Sequence, residues 1–246
     1  MKIGNINLKS DIMIVAEIGN NHEGDINLAK KMIKEASLAG ADAVKFQTIE
    51  PEKLVSIKEI KRIKKLKNFQ FTNNDYEDLY FTAKKNNIMF LSTPFSVEAV
   101  DFLDPYVPAF KIASGDNDYT MLLKKIAEKN KPILLSTGMS DLNQIKSSIK
   151  IVENQWKKFN KTKPYLILLH CVSSYPTPLE FSNIMAINVL SKLGYCVGYS
   201  DHTLGIESAI LSVALGVKVI EKHFTISKNF SDFRDHKLSL EPKEFR

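Results

Sequence analysis

IMIVAEIG (residues 12–19) is an almost unbroken apolar run that carries one carboxylate, Glu17, near its end. A run of this kind reads as a buried parallel strand covered on both faces. Seven more follow, each ending in polar, chemically capable side chains. ADAVKFQT (41–48) delivers Lys45 and Gln47, IMFLSTPF (88–95) delivers Ser92 and Thr93, and AFKIASGD (109–116) delivers Lys111, Ser114 and Asp116. PILLSTG (132–138) delivers Ser136 and Thr137, and YLILLHCVSSY (165–175) delivers His170, Ser173 and Tyr175. CVGYSDHT (196–203) delivers Ser200, Asp201 and His202, and VIEKHFT (219–225) delivers Glu221 and His223. Eight such strands alternating with helices predict an α/β fold closed into a (β/α)8 TIM barrel. In that fold the C-terminal strand ends form one mouth, so the pattern gathers scattered groups into a single pocket.

Helical periodicity fills the intervals. Ala29, Met32, Ile33 and Ala36 share one face, as do Ile145, Ile149, Val152 and Trp156, and Ile206, Ala209, Ile210 and Val213. Thr72 before NNDYEDL has the character of an N-cap. An open doubly wound sheet would call for a glycine-rich phosphate loop, and the chain has neither GxGxxG nor a Walker pattern. The 246 residues match the roughly 250 of one barrel, and no linker divides them, so residues 1–246 read as a single domain. The long connection from Glu50 to about Asp75 lies on the catalytic face, where such loops act as lids. EPKEFR at the end reads as the first turn of an eighth helix, giving a truncated outer ring.

The polar start MKIGNINLKSD leads straight into the first strand, and no segment approaches the ~20 apolar residues that span a bilayer, so the expected location is cytoplasmic, without a membrane. Cys171 and Cys196 read as buried thiols of a reducing compartment. The formal charge is +6, with six basic residues in KEIKRIKKLK (58–67). Ile57, Ile60, Ile63 and Leu66 recur there at three-residue steps, which predicts an amphipathic helix with a solvated basic face, or a basic rim that draws in anionic substrates. No aromatic–basic platform accompanies the charge, which argues against nucleic acid as a partner.

His202 and His223 end neighbouring strands, with Glu17 across the closure. Together they can hold a divalent metal such as manganese, iron, cobalt or zinc; alternatively the histidines are structural. His170 reads as a core histidine, while His22 and His236 lie in loops with access to the mouth. Lys45 and Lys111 are flanked by apolar residues and are expensive to bury without an anion. They can bind a phosphate and a carboxylate, serve as a Schiff-base nucleophile, or form a structural ion pair with Glu17 or Asp116. Ser92-Thr93-Pro94, Ser114-Gly115 and Ser136-Thr137-Gly138 place hydroxyls and open backbone amides at three strand ends, which suits an anion pocket.

The strings AEIGNNHEG, AVKFQT, STPF, KIASGD, LSTGM, HCVSSYPTP, GYSDHT, EKHFT and DHKLSLEP, in that order, closely resemble the sialic acid synthase family. The likeness runs from about Ile12 to Pro242. It implies condensation of phosphoenolpyruvate with the open-chain aldehyde of an N-acetylated hexosamine, with release of phosphate, to give nonulosonic acids such as N-acetylneuraminate, legionaminate and pseudaminate. On that resemblance His202 and His223 are manganese ligands. Lys45, Lys111, Thr93, Ser114 and Ser136 hold phosphoenolpyruvate, and Glu17 and Asp116 flank the reacting carbons. Gln47, Tyr175 and Asp235 contact the sugar, and Ser200 lies within reach. Asp116 stands where the sialic acid branch often has Glu, and Ser173 where it often has Asn, which leaves both N-acetylmannosamine and a di-N-acetylated, bacillosamine-type sugar open as the acceptor. The resemblance further implies a homodimer and a C-terminal antifreeze-like domain reaching into the partner. That domain is not part of this sequence, which reads as a fragment, a minimal variant or one half of a split enzyme; in the last case a separate antifreeze-like domain is a further partner. Two other readings stay open: a Schiff-base pyruvate aldolase through Lys45 or Lys111, and a non-catalytic sugar-binding barrel.

Overall fold

A computed structural model describes residues 1–159 and 164–246. All eight expected strands form: β1 (Met13–Gly19), β2 (Ala43–Thr48), β3 (Met89–Pro94), β4 (Phe110–Ile112), β5 (Ile133–Ser136), β6 (Leu166–Cys171), β7 (Cys196–Asp201) and β8 (Val219–His223). They make one parallel sheet in the order β3-β2-β1-β8-β7-β6-β5-β4, with β3 and β4 side by side at the seam, so the sheet curls into a nearly closed barrel. Among the described residues seven helices ring it: α1 (Ile26–Leu38), α2 (Asn73–Lys85), α3 (Val97–Leu103), α4 (Thr120–Glu128), α5 (Leu142–Lys158), α6 (Ala186–Ser191) and α7 (Glu207–Ala214). Short helices at Arg234–Leu238 and Pro242–Phe245 follow β8. No helix among the described residues is long and apolar enough to cross a membrane.

The period-two alternation of a strand sorts the core into two layers. Met13, Val15, Ala43, Leu91, Ala109, Leu134, Ile167, Leu169 and Val219 pack inside the barrel, together with Ile3 and Leu8. These last two come from the N-terminal segment, where Lys2–Ile3 pairs antiparallel with Ile6–Asn7. The alternate residues, among them Ala16, Val44, Phe46, Phe90, Phe110, Leu135, Leu168 and Tyr199, face the helices. Counting inward positions upward from Met13, Ala43, Ala109 and Val219 arrives at Glu17, Lys45, Lys111 and Glu221. The polar mouth is thus the upper continuation of the apolar interior.

Local signals place the helices. Thr72 and Asp75 form a capping box that opens α2, and Asp25 caps α1. The predicted faces of α1 and α5 are buried. That of α7 is not: the helix starts after Ile206, turns Ser208 and Ser212 to the barrel, and leaves Ile210 60% exposed. Tyr199, buried on the outward face of β7, fills the layer beneath, so only small residues fit against it. The lid segment also differs from expectation. Its helix spans Ile60–Lys67, buries no residue, and leaves Ile57 and Ile60 exposed.

Inside the barrel, Gly198 is required by close approach. A Cβ there would lie 2.4 Å from Leu169 Cδ2 and 2.7 Å from the Val219 carbonyl oxygen of the next strand. Backbone in a ladder has little room to retreat, so Gly198→Ala is expected to destabilise the barrel by about 1–3 kcal/mol through overpacking. The check is thermal unfolding, where each kcal/mol lowers Tm by about 2–4 °C in a chain of this size.

Candidate active site

At the C-terminal end of the barrel lies a cavity of about 830 Å3. Every site residue assigned from the sequence lines it except Asp116: Glu17, Lys45, Gln47, Thr93, Lys111, Ser114, Ser136, Ser173, Tyr175, Ser200, His202, His223 and Asp235. Asp116 is the last residue of a 3-10 turn, Ser114–Asp116, that carries the chain up and away from β4. Its carboxyl is pushed up to about 6, first by burial and then by the nearby Asp118. The loop histidines do not reach the mouth either. His22 is buried and stacked on Phe71 at 4.1 Å, its pKa lowered by burial to about 4. His236 is held by Glu23 at 2.9 Å and Thr225 at 2.7 Å. His170 bonds the Ser182 carbonyl, as a core histidine does.

Four buried charges form the floor. Lys45 Nζ lies 2.7 Å from Glu17 and 3.7 Å from Glu221, and donates to Thr93 Oγ1 at 3.0 Å. Lys111 Nζ lies 3.3 Å from Glu221, whose Oε1 also accepts from Ser200 at 2.7 Å. Gln47 donates to Glu17 at 3.2 Å and is itself held by Asn20 at 2.9 Å. Of the two acids expected to pair with the lysines, Glu17 meets Lys45, whereas Lys111 meets Glu221 of β8 in place of Asp116. Burial is the strongest influence on Glu221 and pushes its pKa up, but Lys111 and Lys45 together outweigh it and hold the carboxyl down at about 2. Burial likewise raises Glu17, against the pull of Lys45. Burial also opposes protonation of Lys45, yet Glu17 and Glu221 override it and keep the ammonium charged. Two carboxylates and two ammoniums leave the floor electrically balanced.

One wall is lined by hydroxyls. The buried hydroxyl oxygens of Ser114 and Ser136 meet no hydrogen-bonding oxygen or nitrogen among the described residues. Gly138 runs between Ser114 and Ser173, where a Cβ would lie 2.7 Å from Ser114 Oγ and 2.8 Å from Ser173 Oγ. Buried Asn117 pins this turn, donating to the carbonyls of Ser136 at 3.3 Å and Gly138 at 3.1 Å, and accepting from Ser140 and Gln144. Buried hydroxyls without partners are costly unless a ligand or water supplies the missing bonds.

Farther round the mouth, past Cys171 of β6, come the imidazoles. The rings of His202 and His223 are 5.5 Å apart by centroid. His202 Nδ1 contacts the Val172 carbonyl oxygen at 2.7 Å. A carbonyl only accepts, so Nδ1 carries a proton, and Nε2 is the nitrogen left to bind a cation when the ring is neutral. His223 Nδ1 is buried without a hydrogen-bond partner among the described residues, and burial, reinforced by the neighbouring His202, drives its pKa well below the usual value. On His202 burial acts in the same sense, but the Cys171 sulfur 3.8 Å away, the Val172 carbonyl and Glu221 together reverse it. Two nitrogen donors aimed from adjacent strands fit a divalent cation whose other positions are taken by oxygen from substrate or water. Glu17 does not complete the set, because Lys45 and Gln47 hold its carboxylate. Among the described residues no three His, Cys, Asp or Glu side chains converge.

Tyr175 lies over His202 at 4.1 Å, and Arg234 lies over the Tyr175 ring at 5.1 Å while bonding Asp235 at 3.1 Å. Arg62, Lys65, Leu66 and Phe69 of the lid segment complete the rim, with Phe69 against Phe233 at 5.1 Å. The basic stretch thus contributes to the cavity wall, whereas its other lysines face away. Glu221, Asn117 and Arg234 had been given no role from the sequence. Only Glu221 left a usable signal, its inward parity two residues before His223.

The NeuB family model matches residues 32–246. An uncharacterised protein of Methanocaldococcus jannaschii is 47% identical over 235 residues, covering 95% of this chain and 67% of that protein. The N,N'-diacetyllegionaminic acid synthase of Campylobacter jejuni is 44% identical over 255 residues, covering 95% of this chain and 73% of the enzyme. The crystal structure of N-acetylneuraminic acid (sialic acid) synthetase from Leptospira borgpetersenii, in complex with citrate, superposes with a TM-score of 0.92 at 36% identity, covering 100% of this chain and 84% of that one. The chain belongs to the NeuB family, alongside relatives named as sialic, legionaminic and pseudaminic acid synthases.

Proposed function

We propose that this chain is a nonulosonic acid synthase that joins phosphoenolpyruvate to the open-chain aldehyde of an N-acylated hexosamine and releases phosphate. The observation that carries the reading is the pair of buried hydroxyls, Ser114 and Ser136, which meet no oxygen or nitrogen partner among the described residues and share one cavity with two imidazoles, in a member of this family. Those hydroxyls, with Lys111 and Lys45, suit the phosphate and carboxylate of phosphoenolpyruvate. His202 and His223 would hold manganese, which when bound supplies Lewis acidity toward the sugar aldehyde.

Within this reading a bond forms between C3 of phosphoenolpyruvate and the aldehyde carbon, whose oxygen gains a proton. Water adds at C2 and loses a proton, and the C2 phosphate departs to leave the keto acid. Glu17 is the carboxylate placed to handle that water; Asp116 stands outside the cavity and acts, if at all, through the turn that holds Ser114. Gln47, Tyr175 and Asp235 face the remaining space and suit the acceptor. Ser173, small where it meets Gly138, and the name of the Campylobacter relative both favour a di-N-acetylated acceptor. A Schiff-base aldolase needs a neutral amine, whereas Lys45 is kept protonated between two carboxylates.

Incubation of the chain with phosphoenolpyruvate, di-N-acetylated hexose and manganese is expected to release phosphate, and omission of any one component or addition of a chelator should stop it. Phosphate release that persists unchanged in chelator would rule the metal out, and a lysine tagged by borohydride with labelled pyruvate would favour the aldolase. Ser136→Ala gives a sharper test. The hydroxyl makes no bond to the protein, so Tm should stay put. Losing one bond to a charged ligand, worth about 1.5–3 kcal/mol, should raise KM for phosphoenolpyruvate by about tenfold or more. An unchanged KM would remove Ser136 from the phosphoenolpyruvate site.

A further inference from the structure

Behind the two histidines, on the faces of β7 and β8 turned from the cavity, lies a charge pair that the proposed reaction does not use. Asp201 is 0% exposed and Lys222 2% exposed. They are direct partners in the parallel ladder, and Lys222 Nζ meets Asp201 Oδ2 at 2.8 Å. The other carboxylate oxygen accepts from the Thr203 amide at 2.8 Å, the Thr203 hydroxyl at 2.8 Å and the Tyr199 hydroxyl at 3.1 Å. Lys222 also donates to the Thr203 carbonyl.

A buried ion pair is seldom the most stable filling of an apolar layer; hydrocarbon of equal volume commonly does as well or better. What such a pair can supply is register. Each member immediately precedes one histidine in the chain: His202 follows Asp201, and His223 follows Lys222. Thr203, on the far side of His202, is tied to the same carboxylate, so His202 is clamped from both flanks. A slip of one residue between β7 and β8 would part the two charges and turn one imidazole out of the cavity. A shared ligand on two imidazoles tolerates little such movement.

We propose that Asp201 and Lys222 are positioning residues that set the spacing and aim of His202 and His223, and through them the affinity of the cation site. The inference rests on the metal reading above. The measurement is manganese binding to the full chain by titration calorimetry, alongside thermal unfolding. Lys222→Met alone leaves a bare carboxylate in the core and can unfold the chain. The informative variant therefore pairs it with Asp201→Asn, whose amide oxygen still accepts from Thr203. The double variant is expected to remain folded, to bind manganese about tenfold more weakly or worse, as loss of outer support typically does, and to bind phosphoenolpyruvate in the absence of metal as the wild-type chain does. Lys222→Arg preserves the pair and should restore manganese binding. A folded double variant with wild-type manganese affinity overturns the proposal. A wild-type chain that takes up no manganese overturns the metal reading and this inference with it, and that failure shows in the wild-type arm alone.

Discussion

The constraint on which the site depends is the balanced cluster of Glu17, Lys45, Glu221 and Lys111 at the top of the barrel interior. None of these four charges could stand there alone, because stripping one ion of water costs several kcal/mol, about what a whole domain has to spare. Together they are tolerated, since each ammonium faces a carboxylate and Glu221 bridges both. The bridge joins β8 to β4, strands far apart in the sheet order, so the charges also act as a strut across the barrel. A floor neutral in itself does not repel an incoming anion, and it offers charged donors close enough to be shared.

The fold was legible because two periodicities coincide with two environments. Period two places Met13, Val15 and Glu17 on one side of β1 and Ile14, Ala16 and Ile18 on the other, and every strand repeats the arrangement. The sequence shows the run and its polar end. It does not show how far the chain climbs after the strand. Ser114 and Asp116 are two residues apart, yet the 3-10 turn keeps the first in the cavity and takes the second out of it. Partner choice across the barrel was hidden for a similar reason. Asp116 and Glu221 are both acids at strand ends, and only the inward parity of β8 decides that Lys111 meets Glu221. In α7 the apolar spacing of Ile206, Ala209, Ile210 and Val213 was genuine, but the bulk of Tyr199 beneath it determined which face could be buried.

The two walls of the cavity are built on different principles. The hydroxyl wall uses backbone turns brought close by a small residue. Gly138 lets the β5 turn nest between Ser114 and Ser173, and Asn117 fixes it with side-chain bonds to main-chain carbonyls. The imidazole wall uses the sheet itself, with His202 and His223 as the inward positions where β7 and β8 end. Turns can be reshaped by a few substitutions, whereas strand ends move only with the barrel. Variation within the family is therefore expected to collect in the turns and the lid, and the imidazole side to stay constant.

Alternation also divides labour in a way that a search for catalytic residues overlooks. Inward side chains touch the substrate space; their outward neighbours touch the helices and appear merely structural. Ser92 faces outward between Leu91 and Thr93 and bonds Thr48 at 2.7 Å, steadying the strand end that aims Thr93 at Lys45. Asp201 and Lys222 stand in the same relation to the histidines. A polar residue on the outward face of a barrel strand has to be explained, because the helix layer there rewards hydrocarbon. Where it sits one residue from an inward functional group, the economical explanation is that it holds that group in place. The polar content of the outer layer, residue by residue, then becomes a map of which inner positions the protein must hold rigid.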